Sequence, residues 1–452
     1  MSVELYHQHW FPAVEFKRRH VRVYDVIGKE AVAVVQGAGP VGGFEMLRQT
    51  NEFFHLTGVE VAQALLLLDG RNRRTTLYLP HRDSRLAASE GSELAAEDAE
   101  AAVALTGCDK VAGIETFEAD LKGVRIVYTP HHPAEGLMAC QDTLRHAARL
   151  RANDPWDGAV PREARFIGKL VARCGMAEIR NLSPILNALR TIKSPAEIAV
   201  MRKAGMLSAL AVIEAMKSTK PGLLEYQLGA VAEYVYRLNG ANGSSYRAII
   251  ASGPNIWHAH YFRNNCRLKK GDLVLMDCAP DVCNYTSDIG RMWPVNGTYD
   301  AVQRTLYGFM VKYHLAYLKL LRAGMEPAKI KAAAAKEMKK VVARTKWAKP
   351  SHEAAARRTL EFGGHLSHPV GMAVHDVGTY SDAPFKAGFV FALDPQMWIP
   401  EEKVYIRIED TVLLTDKGVE NLTERAPHEL EEVEALVGKG GMIQAFPPEP
   451  GC

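Results

Sequence analysis

The chain has 452 residues, of which 47% are hydrophobic and 24% are charged, a composition typical of a globular protein with more than one domain. Its 55 basic and 52 acidic residues give a formal net charge of +3, and this near balance argues against nucleic acid or a membrane surface as a partner. Its seven cysteines contain no CxxC pair, which favours reduced thiols over a disulfide framework.

Two sequence patterns bear on where the protein resides in the cell: a secretory signal and a membrane-spanning helix. The N-terminal stretch MSVELYHQHWF lacks a basic segment followed by an apolar one, so it does not have the pattern of a secretory signal. No apolar run approaches the roughly 18 residues that a membrane helix needs. The sequence therefore predicts a cytoplasmic protein.

The first half of the chain alternates short apolar runs with helical and turn segments. The runs at 31–36 (AVAVVQ), 64–68 (ALLLL) and 76–80 (TLYLP) predict buried strands, and the stretch rich in Ala and Glu at 87–105 predicts an exposed helix. This alternation indicates an α/β domain, which we place at residues 1–185.

The segment GAGPVG at 37–42 follows a predicted strand and matches the GxGxxG fingerprint of dinucleotide-binding folds. That fingerprint also requires an acidic residue about 20 positions further on, at the end of the next strand. Asp69 ends such a strand but lies too far beyond Gly42, and a proline interrupts the turn. A plain glycine-rich loop is therefore the favoured interpretation.

The second half begins with a strong helix signal. In SPAE, Ser194 is suited to the N-cap, Pro195 to the first helical position and Glu197 to a capping box, and the helix should run until KPG at 220–222. A second helix is predicted at about 224–239. Strands should follow up to 295, then helices from about 300 to 345, then strands again up to 415. We place this second domain at residues 186–452.

The stretch LVLMDCAPDVCNYTSDIG at 273–290 carries aspartates where an apolar strand should be buried. A turn at APDVCN should return the chain, so that Asp277 and Asp288 lie side by side on neighbouring strands. Buried carboxylates that close together repel one another unless a proton or a cation neutralises them. This pair therefore indicates either access to solvent or a bound cation.

Three later segments supply further polar side chains. SHPVGMAVHDVG contains His368 and His375, VFALDPQ ends an apolar run in Asp394, and VYIRIEDTVLL places Arg407 and Glu409 on one strand face. Each residue alone has an ordinary explanation as a turn former, a core histidine or a surface ion pair. Together, four carboxylates and an imidazole suit two hard or borderline divalent cations, with Mn²⁺, Co²⁺ and Zn²⁺ as the candidates.

At these residues the second half resembles the pita-bread metallopeptidases, the family of methionine aminopeptidase, aminopeptidase P and prolidase. The segments that carry the resemblance are IKSPAEIAVMRKAG, ASGPNIWHAHYFRNN, GDLVLMDCAPDVCNYTSDIGRMWPVNG, SHPVGMAVHDVG and IRIEDTVLLTDKGVENLT. The first half, through FKRRHVRV and RQTNEFFHLTG, resembles the N-terminal domain of aminopeptidase P. The resemblance implies an α/β N-terminal domain followed by an α+β pita-bread catalytic domain.

The resemblance also implies roles for individual residues. Five would be ligands of two metal ions: Asp277, Asp288, His368, Asp394 and Glu409. Of these, Asp288 and Glu409 would bridge the ions. His260 and His375 would bind the substrate and stabilise the tetrahedral intermediate. Arg407 would orient the acidic groups beside it. Glu52 falls where aminopeptidase P has an aspartate near the free amino end of the substrate.

Two positions depart from the family pattern. The fifth ligand position normally reads Glu-Pro, whereas here it is Asp394-Pro395, and the shorter side chain weakens the proton-carrier role that the family's glutamate is thought to have. The segment from His375 to Asp394 is also shortened and lacks a typical arginine, so that Lys386 is its only cation. In prolidases such basic groups hold the terminal carboxylate of the dipeptide, and their loss argues against a strict dipeptidase.

The favoured prediction is an Xaa-Pro aminopeptidase, a dinuclear-metal hydrolase that removes the N-terminal residue from short peptides with proline in the second position. Similar proteins imply a homodimer or homotetramer. The alternatives are an Xaa-Pro dipeptidase (prolidase), a creatinase-like C–N hydrolase that has lost its metal, and a pseudo-peptidase that only binds. Five side chains able to bind metal argue against the creatinase-like alternative, and the retained histidines argue against the pseudo-peptidase.

Overall fold

The computed structural model describes residues 9–42, 44–364, 366–379 and 383–449. The chain forms two compact units. The N-terminal unit consists of Met1–Thr191 and Pro195–Glu197, and the C-terminal unit consists of Ile192–Ser194 and Ile198–Cys452. No helix among the described residues combines the length and the apolar character needed to cross a lipid bilayer.

The N-terminal unit is built on one six-stranded sheet of order β4-β3-β2-β1-β5-β6, in which β2 runs antiparallel to both β1 and β3 and the other neighbours are parallel. Its strands are β1 (Ala31–Gln36), β2 (Leu65–Asp69), β3 (Arg74–Leu79), β4 (Lys110–Gly113), β5 (Ile126–Thr129) and β6 (Glu178–Asn181). Its helices are α1 (Ala13–Ile27), α2 (Asn51–Thr57), α3 (Ser84–Glu90), α4 (Ala99–Thr106), α5 (Phe117–Asp120), α6 (Gln141–Ala152), α7 (Arg162–Cys174) and α8 (Ser183–Thr191).

Both faces of this sheet are covered, which explains why its strands read as continuous apolar runs. In β1, Ala31, Ala33 and Val35 belong to one hydrophobic cluster, whereas Val32 and Val34 belong to the cluster on the opposite face. The predicted strands at 31–36, 64–68 and 76–80 correspond to β1, β2 and β3, and the α/β prediction for this half is confirmed.

One helix prediction in this unit is wrong. The expected helix at 87–105 is broken into α3, a short 3₁₀ turn at Ala96–Asp98 and α4. Gly91 ends α3 with a φ of 98°, a left-handed conformation that an L-residue with a side chain rarely adopts. The many Ala and Glu residues favour a continuous helix, and the prediction gave too little weight to the single glycine that ends it.

The C-terminal unit contains a six-stranded antiparallel sheet, in which five strands follow the order β10-β13-β9-β8-β7 and the sixth, β14, also pairs with β13. A separate hairpin is formed by β11 and β12. Its strands are β7 (Ile249–Ser252), β8 (Leu273–Asp277), β9 (Ile289–Pro294), β10 (Val390–Leu393), β11 (Gln396–Ile399), β12 (Val404–Arg407), β13 (Glu409–Thr415) and β14 (Gly418–Asn421). The helices that follow α8 are α9 (Pro195–Ser218), α10 (Glu225–Leu238), α11 (Ala301–Leu320), α12 (Pro327–Arg344), α13 (Pro350–Glu361), α14 (Leu430–Leu436) and α15 (Met442–Ala445).

The long helix predicted at SPAE is confirmed as α9, which begins at Pro195, and the second predicted helix is α10. Strands β8 and β9 pair in antiparallel register across the predicted turn. All residues of β8, β9 and β10 are buried, so the carboxylates at their ends are delivered into the interior of the unit.

Candidate metal centre

Three neighbouring strands deliver the first group of predicted ligands. Asp277 is the last residue of β8, Asp288 directly precedes β9, and Glu409 is the first residue of β13. Gly290 on the central strand β9 pairs with Asp277 on one side and with Glu409 on the other. A Cβ atom at Gly290 would lie 3.1 Å from the Glu409 Cβ and 3.2 Å from its Oε2, so the glycine leaves room for the Glu409 side chain.

Asp288, His368 and Glu409 form a cluster of possible metal ligands, whose ligand atoms all lie within 4.8 Å of one another. The His368 Nε2 lies 3.5 Å from the Asp288 Oδ2 and 3.9 Å from the Glu409 Oε1. The backbone carbonyl of His368 accepts a hydrogen bond from the amide of Ala392 at 3.0 Å, which fixes the histidine against β10. The structure thus brings three predicted ligands together from distant parts of the chain.

The guanidinium of Arg407 contacts three carboxylates beside this cluster. Its Nη1 donates to the Asp277 Oδ2 at 2.7 Å, and its Nε donates to the Asp394 Oδ1 at 3.0 Å. Its Nη2 donates to the Glu409 Oε2. Asp277 and Asp394 therefore lie outside the cluster of three but are tied to it through one cation. Asp394 also accepts a hydrogen bond from the Gln396 side-chain amide.

Burial dominates the electrostatics of the site. It raises the pKa of Asp288, and the nearby charge of Asp277 raises it further. Burial also raises the pKa of Glu409 and of Asp394, although Arg407 opposes the shift in both. Burial alone would lower the pKa of Arg407, but the charges of Asp394, Glu409 and Asp277 outweigh that effect and raise it. One arginine thus faces an excess of carboxylates, and a second positive charge would favour their ionised form.

The residues fit divalent metal ions by their chemistry. The Glu409 Oε1 is buried and has no hydrogen-bond partner among the described residues, so it offers lone pairs that the protein leaves unused. Burial lowers the pKa of His368, and the nearby His375 lowers it further. The imidazole is therefore neutral and can donate its nitrogen lone pair to a metal. Carboxylate oxygens with an imidazole nitrogen are a donor set for Mn²⁺, Co²⁺ or Zn²⁺.

Two further residues hold the ligands, and sequence reasoning missed both. The Tyr246 hydroxyl lies 2.6 Å from the Asp277 Oδ1 and 2.8 Å from the Asp288 Oδ1. Burial raises the pKa of Tyr246, so it remains a neutral donor to the pair. The Thr411 Oγ1 accepts from the Asp288 amide at 2.6 Å and donates to its carbonyl at 2.9 Å. Tyr246 lies outside the motifs, whereas Thr411 lies within IRIEDTVLLTDKGVENLT, two positions after Glu409, where the sequence pattern does not indicate its bonds to Asp288.

The two predicted substrate-binding histidines lie next to the cluster. The rings of His375 and His368 are 4.2 Å apart, and the rings of His375 and His260 are 5.9 Å apart, measured between centroids. The residue after His375 is anchored by a buried ion pair, in which the Lys193 Nζ lies 3.2 Å from the Asp376 Oδ2 and both side chains are 1% exposed. This pair fixes the turn that carries His375.

Glu52 belongs to the N-terminal unit, where it lies in α2 and is 1% exposed. Burial raises its pKa to about 8, and the charge of Glu135 adds to the effect while Arg190 opposes it. Its Oε1 has no hydrogen-bond partner among the described residues. The role of Glu52 in binding the substrate stays a prediction, as do the roles of the metal-centre residues.

Comparison with known proteins gives the same family for both halves. Residues 199–416 match the model of metallopeptidase family M24, and residues 16–126 match the model of the aminopeptidase P N-terminal domain. The Xaa-Pro aminopeptidase of Escherichia coli K12 is 28% identical over 450 residues, which cover 94% of this chain and 97% of that protein. Xaa-Pro aminopeptidase 3 of Homo sapiens is 28% identical over 408 residues, which cover 86% of this chain and 76% of that protein.

Solved structures agree with these matches. Aminopeptidase P from E. coli with the inhibitor Pro-Leu is 26% identical and superimposes with a TM-score of 0.76, covering 94% of this chain and 98% of that one. Pseudomonas aeruginosa aminopeptidase PepP gives the same identity, TM-score and coverage. The resemblance to the pita-bread metallopeptidases, and the two-domain fold that it implied, are confirmed.

Proposed function

The chain belongs to metallopeptidase family M24, and we propose that it is an Xaa-Pro aminopeptidase, which removes the N-terminal residue from peptides with proline in the second position. The observation that carries this proposal is the buried cluster of Asp288, His368 and Glu409 beside Arg407. A second support is the similarity to the Xaa-Pro aminopeptidase of Escherichia coli K12, which extends over 94% of this chain.

We assign the ligand roles to five residues: Asp277, Asp288, His368, Asp394 and Glu409. Two divalent ions bound there would supply an activated water molecule near neutral pH and would polarise the scissile carbonyl. Manganese is the proposed ion, with cobalt or zinc as alternatives. Arg407 keeps three of the carboxylates at fixed positions, and Tyr246 fixes the relative orientation of Asp277 and Asp288.

The substrate is handled by side chains at the edge of this cluster. His260 and His375 would donate ring N–H groups to the oxygen that gains negative charge as the carbonyl is attacked, a form of stabilisation that acts mainly in the transition state. Asp394 would carry a proton to the proline nitrogen that leaves. Its two hydrogen bonds, from Arg407 and Gln396, favour the ionised form that accepts this proton.

Substrate length follows from charges near the site. A dipeptidase needs a cation for the terminal carboxylate of its substrate, and between His375 and Asp394 the sequence offers only Lys386. We therefore propose short peptides longer than a dipeptide as substrates, with Glu52 near their free amino group. We also propose that the protein is cytoplasmic and forms a homodimer or a homotetramer.

The test is hydrolysis of Ala-Pro and Ala-Pro-Ala by chelator-treated protein that has been reloaded with Mn²⁺, Co²⁺ or Zn²⁺. We expect metal-dependent release of alanine from the tripeptide, and no release from Ala-Ala-Ala as the matched control. Cleavage of Ala-Pro alone would make the protein a prolidase. If no peptide is cleaved with any of the three metals, the proposed function is wrong.

A further inference from the structure

Glu225 carries an unexpected negative charge in the interior of the C-terminal unit. It is the first residue of α10 and is 0% exposed. A carboxylate at this position gains from the partial positive charge of the helix N-terminus. That gain alone does not offset the loss of hydration, so the carboxylate needs hydrogen-bond donors from the protein.

Five neutral donors surround the Glu225 carboxylate. Its Oε1 accepts from the Ser252 amide at 2.8 Å, from the Ser252 hydroxyl at 2.8 Å and from the Asn255 Nδ2 at 3.0 Å. Its Oε2 accepts from the Tyr261 hydroxyl at 2.9 Å and from the Cys266 amide at 2.9 Å. Hydrogen bonds to a charged acceptor are about twice as strong as bonds between neutral groups.

All of these donors lie on the segment that runs from the last residue of β7 towards β8 and contains His260, which we name the His260 loop (residues 252–266). The backbone reinforces the attachment, because the Glu225 amide donates to the Cys266 carbonyl at 2.9 Å and the Tyr226 amide donates to the Asn264 carbonyl at 2.8 Å. Asn264 has a φ of 53°, and its side chain bonds the amide of Ile250 and the carbonyl of Ala248.

The attachment reaches the residue next to His260. Tyr261 is bound to Glu225 through its hydroxyl, whereas His260 is an exposed residue whose ring lies beside that of His375. The position of a side chain on a loop depends on the backbone that carries it. Glu225 bonds the beginning, the middle and the end of this loop, at Ser252, Tyr261 and Cys266.

We infer that Glu225 is a positioning residue, which holds the His260 loop so that the His260 ring stays beside His375 at the metal centre. The inference rests on the proposed function, in which His260 binds the substrate. Glu225 touches neither substrate nor metal in this scheme. Its removal should displace His260 and leave the metal ligands in place.

The decisive experiment is a double-mutant cycle of Glu225→Gln and His260→Ala. Glutamine is isosteric, but an Nε2 in the place of Oε2 would face the Cys266 amide, which it cannot accept, and the Tyr261 hydroxyl, which would have to turn its proton away. We expect Glu225→Gln to lower kcat/KM by about a hundredfold, the scale of a small misplacement of a catalytic group. In the His260→Ala background the same change should alter kcat/KM by no more than about twofold. Bound metal, measured by elemental analysis, should equal that of the wild type.

Milder variants keep the inference testable if Glu225→Gln folds poorly. Tyr261→Phe removes one donor, and we expect a smaller loss that also disappears in the His260→Ala background. Tyr313→Phe is the matched control, since that hydroxyl bonds Tyr317 within α11 at 2.5 Å. The inference is overturned if Glu225→Gln lowers kcat/KM by the same factor in the wild-type and His260→Ala backgrounds. Full activity of both Glu225→Gln and Tyr261→Phe would also overturn it.

A readout without catalysis separates this inference from the proposed function. In protein labelled with ¹⁵N at histidine, the ring signal of His260 is identified by its loss in His260→Ala. We expect Glu225→Gln to shift that signal and to leave the signal of His314, which is buried beside Asp410, unchanged. If the wild-type protein cleaves no Xaa-Pro peptide but the signal shifts, the proposed function fails and the positioning role stands. An unshifted signal would refute the positioning role even in an active enzyme.

Discussion

Replacement of Glu52 by glutamine should stabilise the protein, and increasingly so as the pH rises. Burial and the charge of Glu135 raise the pKa of Glu52 from 4.5 to about 8. The folded protein therefore binds a proton that the unfolded chain has lost, and the stability contributed by this group falls as the pH rises through that interval. Glutamine keeps the shape of the side chain and has no charge to bury.

The size of the effect follows from the shift. A pKa raised from 4.5 to about 8 corresponds to roughly 5 kcal/mol between the two protonation states, at about 1.4 kcal/mol per pKa unit. Between pH 5.5 and pH 8.5 the advantage of Glu52→Gln over the wild type should grow by about 3 kcal/mol. Above pH 8.5 it should level off, because Glu52 is then ionised in both states.

The assay is urea unfolding followed by circular dichroism at several pH values, with hydrogen exchange of the α2 amides to assign the transition to the N-terminal unit. Glu30→Gln is the matched control, since Glu30 is exposed beside β1 and its replacement should leave the pH dependence unchanged. Parallel stability curves for the wild type and Glu52→Gln across this pH range would refute the reasoning.

Three further predictions concern the metal centre. Asp288→Ala should abolish activity and release at least one equivalent of metal, measured by elemental analysis; a fully active, metal-replete variant would contradict the ligand assignment. Asp394→Glu should keep or raise activity if Asp394 is a ligand, whereas loss of metal would show that the site, with Gln396 bonded to Asp394, has adapted to the shorter side chain. Arg407→Met should lower the stability of metal-free protein by about 3–5 kcal/mol, because it leaves buried carboxylates without their cation. Added Mn²⁺ should recover part of that loss in thermal unfolding, and equal melting temperatures of variant and wild type without metal would count against this account.

The outline of the site could be predicted because its residues lie at the ends of strongly apolar runs. Alternation along VYIRIEDTVLL places Arg407 and Glu409 on one face, and the structure joins them by a hydrogen bond. Alternation says nothing of partners on other strands, so it did not identify Asp277 and Asp394 as partners of Arg407. The family resemblance implied only that Arg407 orients acidic groups beside it.

Contacts across long stretches of sequence account for most of what was missed. Tyr246 reaches two aspartates on β8 and beside β9, but its own segment, SSYRAII, reads as an ordinary start of a strand. Glu225 likewise reads as a polar residue in the first turn of a helix, whereas its five donors lie far along the chain. A period of two or 3.6 residues identifies which face is buried, and it does not identify what a buried polar group will meet.

The buried pair of Lys193 and Asp376 has a consequence for where the catalytic unit begins. Residues 192–194 are embedded in that unit, since Ile192 bridges to Phe389 and the Lys193 amide donates to the Gly388 carbonyl at 2.9 Å. A fragment cut at residue 198 would keep Asp376 but lose Lys193, and breaking a buried ion pair in this way costs about 3–5 kcal/mol, here next to His375. The three residues that lead into α9 are thus part of the hydrolytic unit itself, and that unit cannot be separated without them.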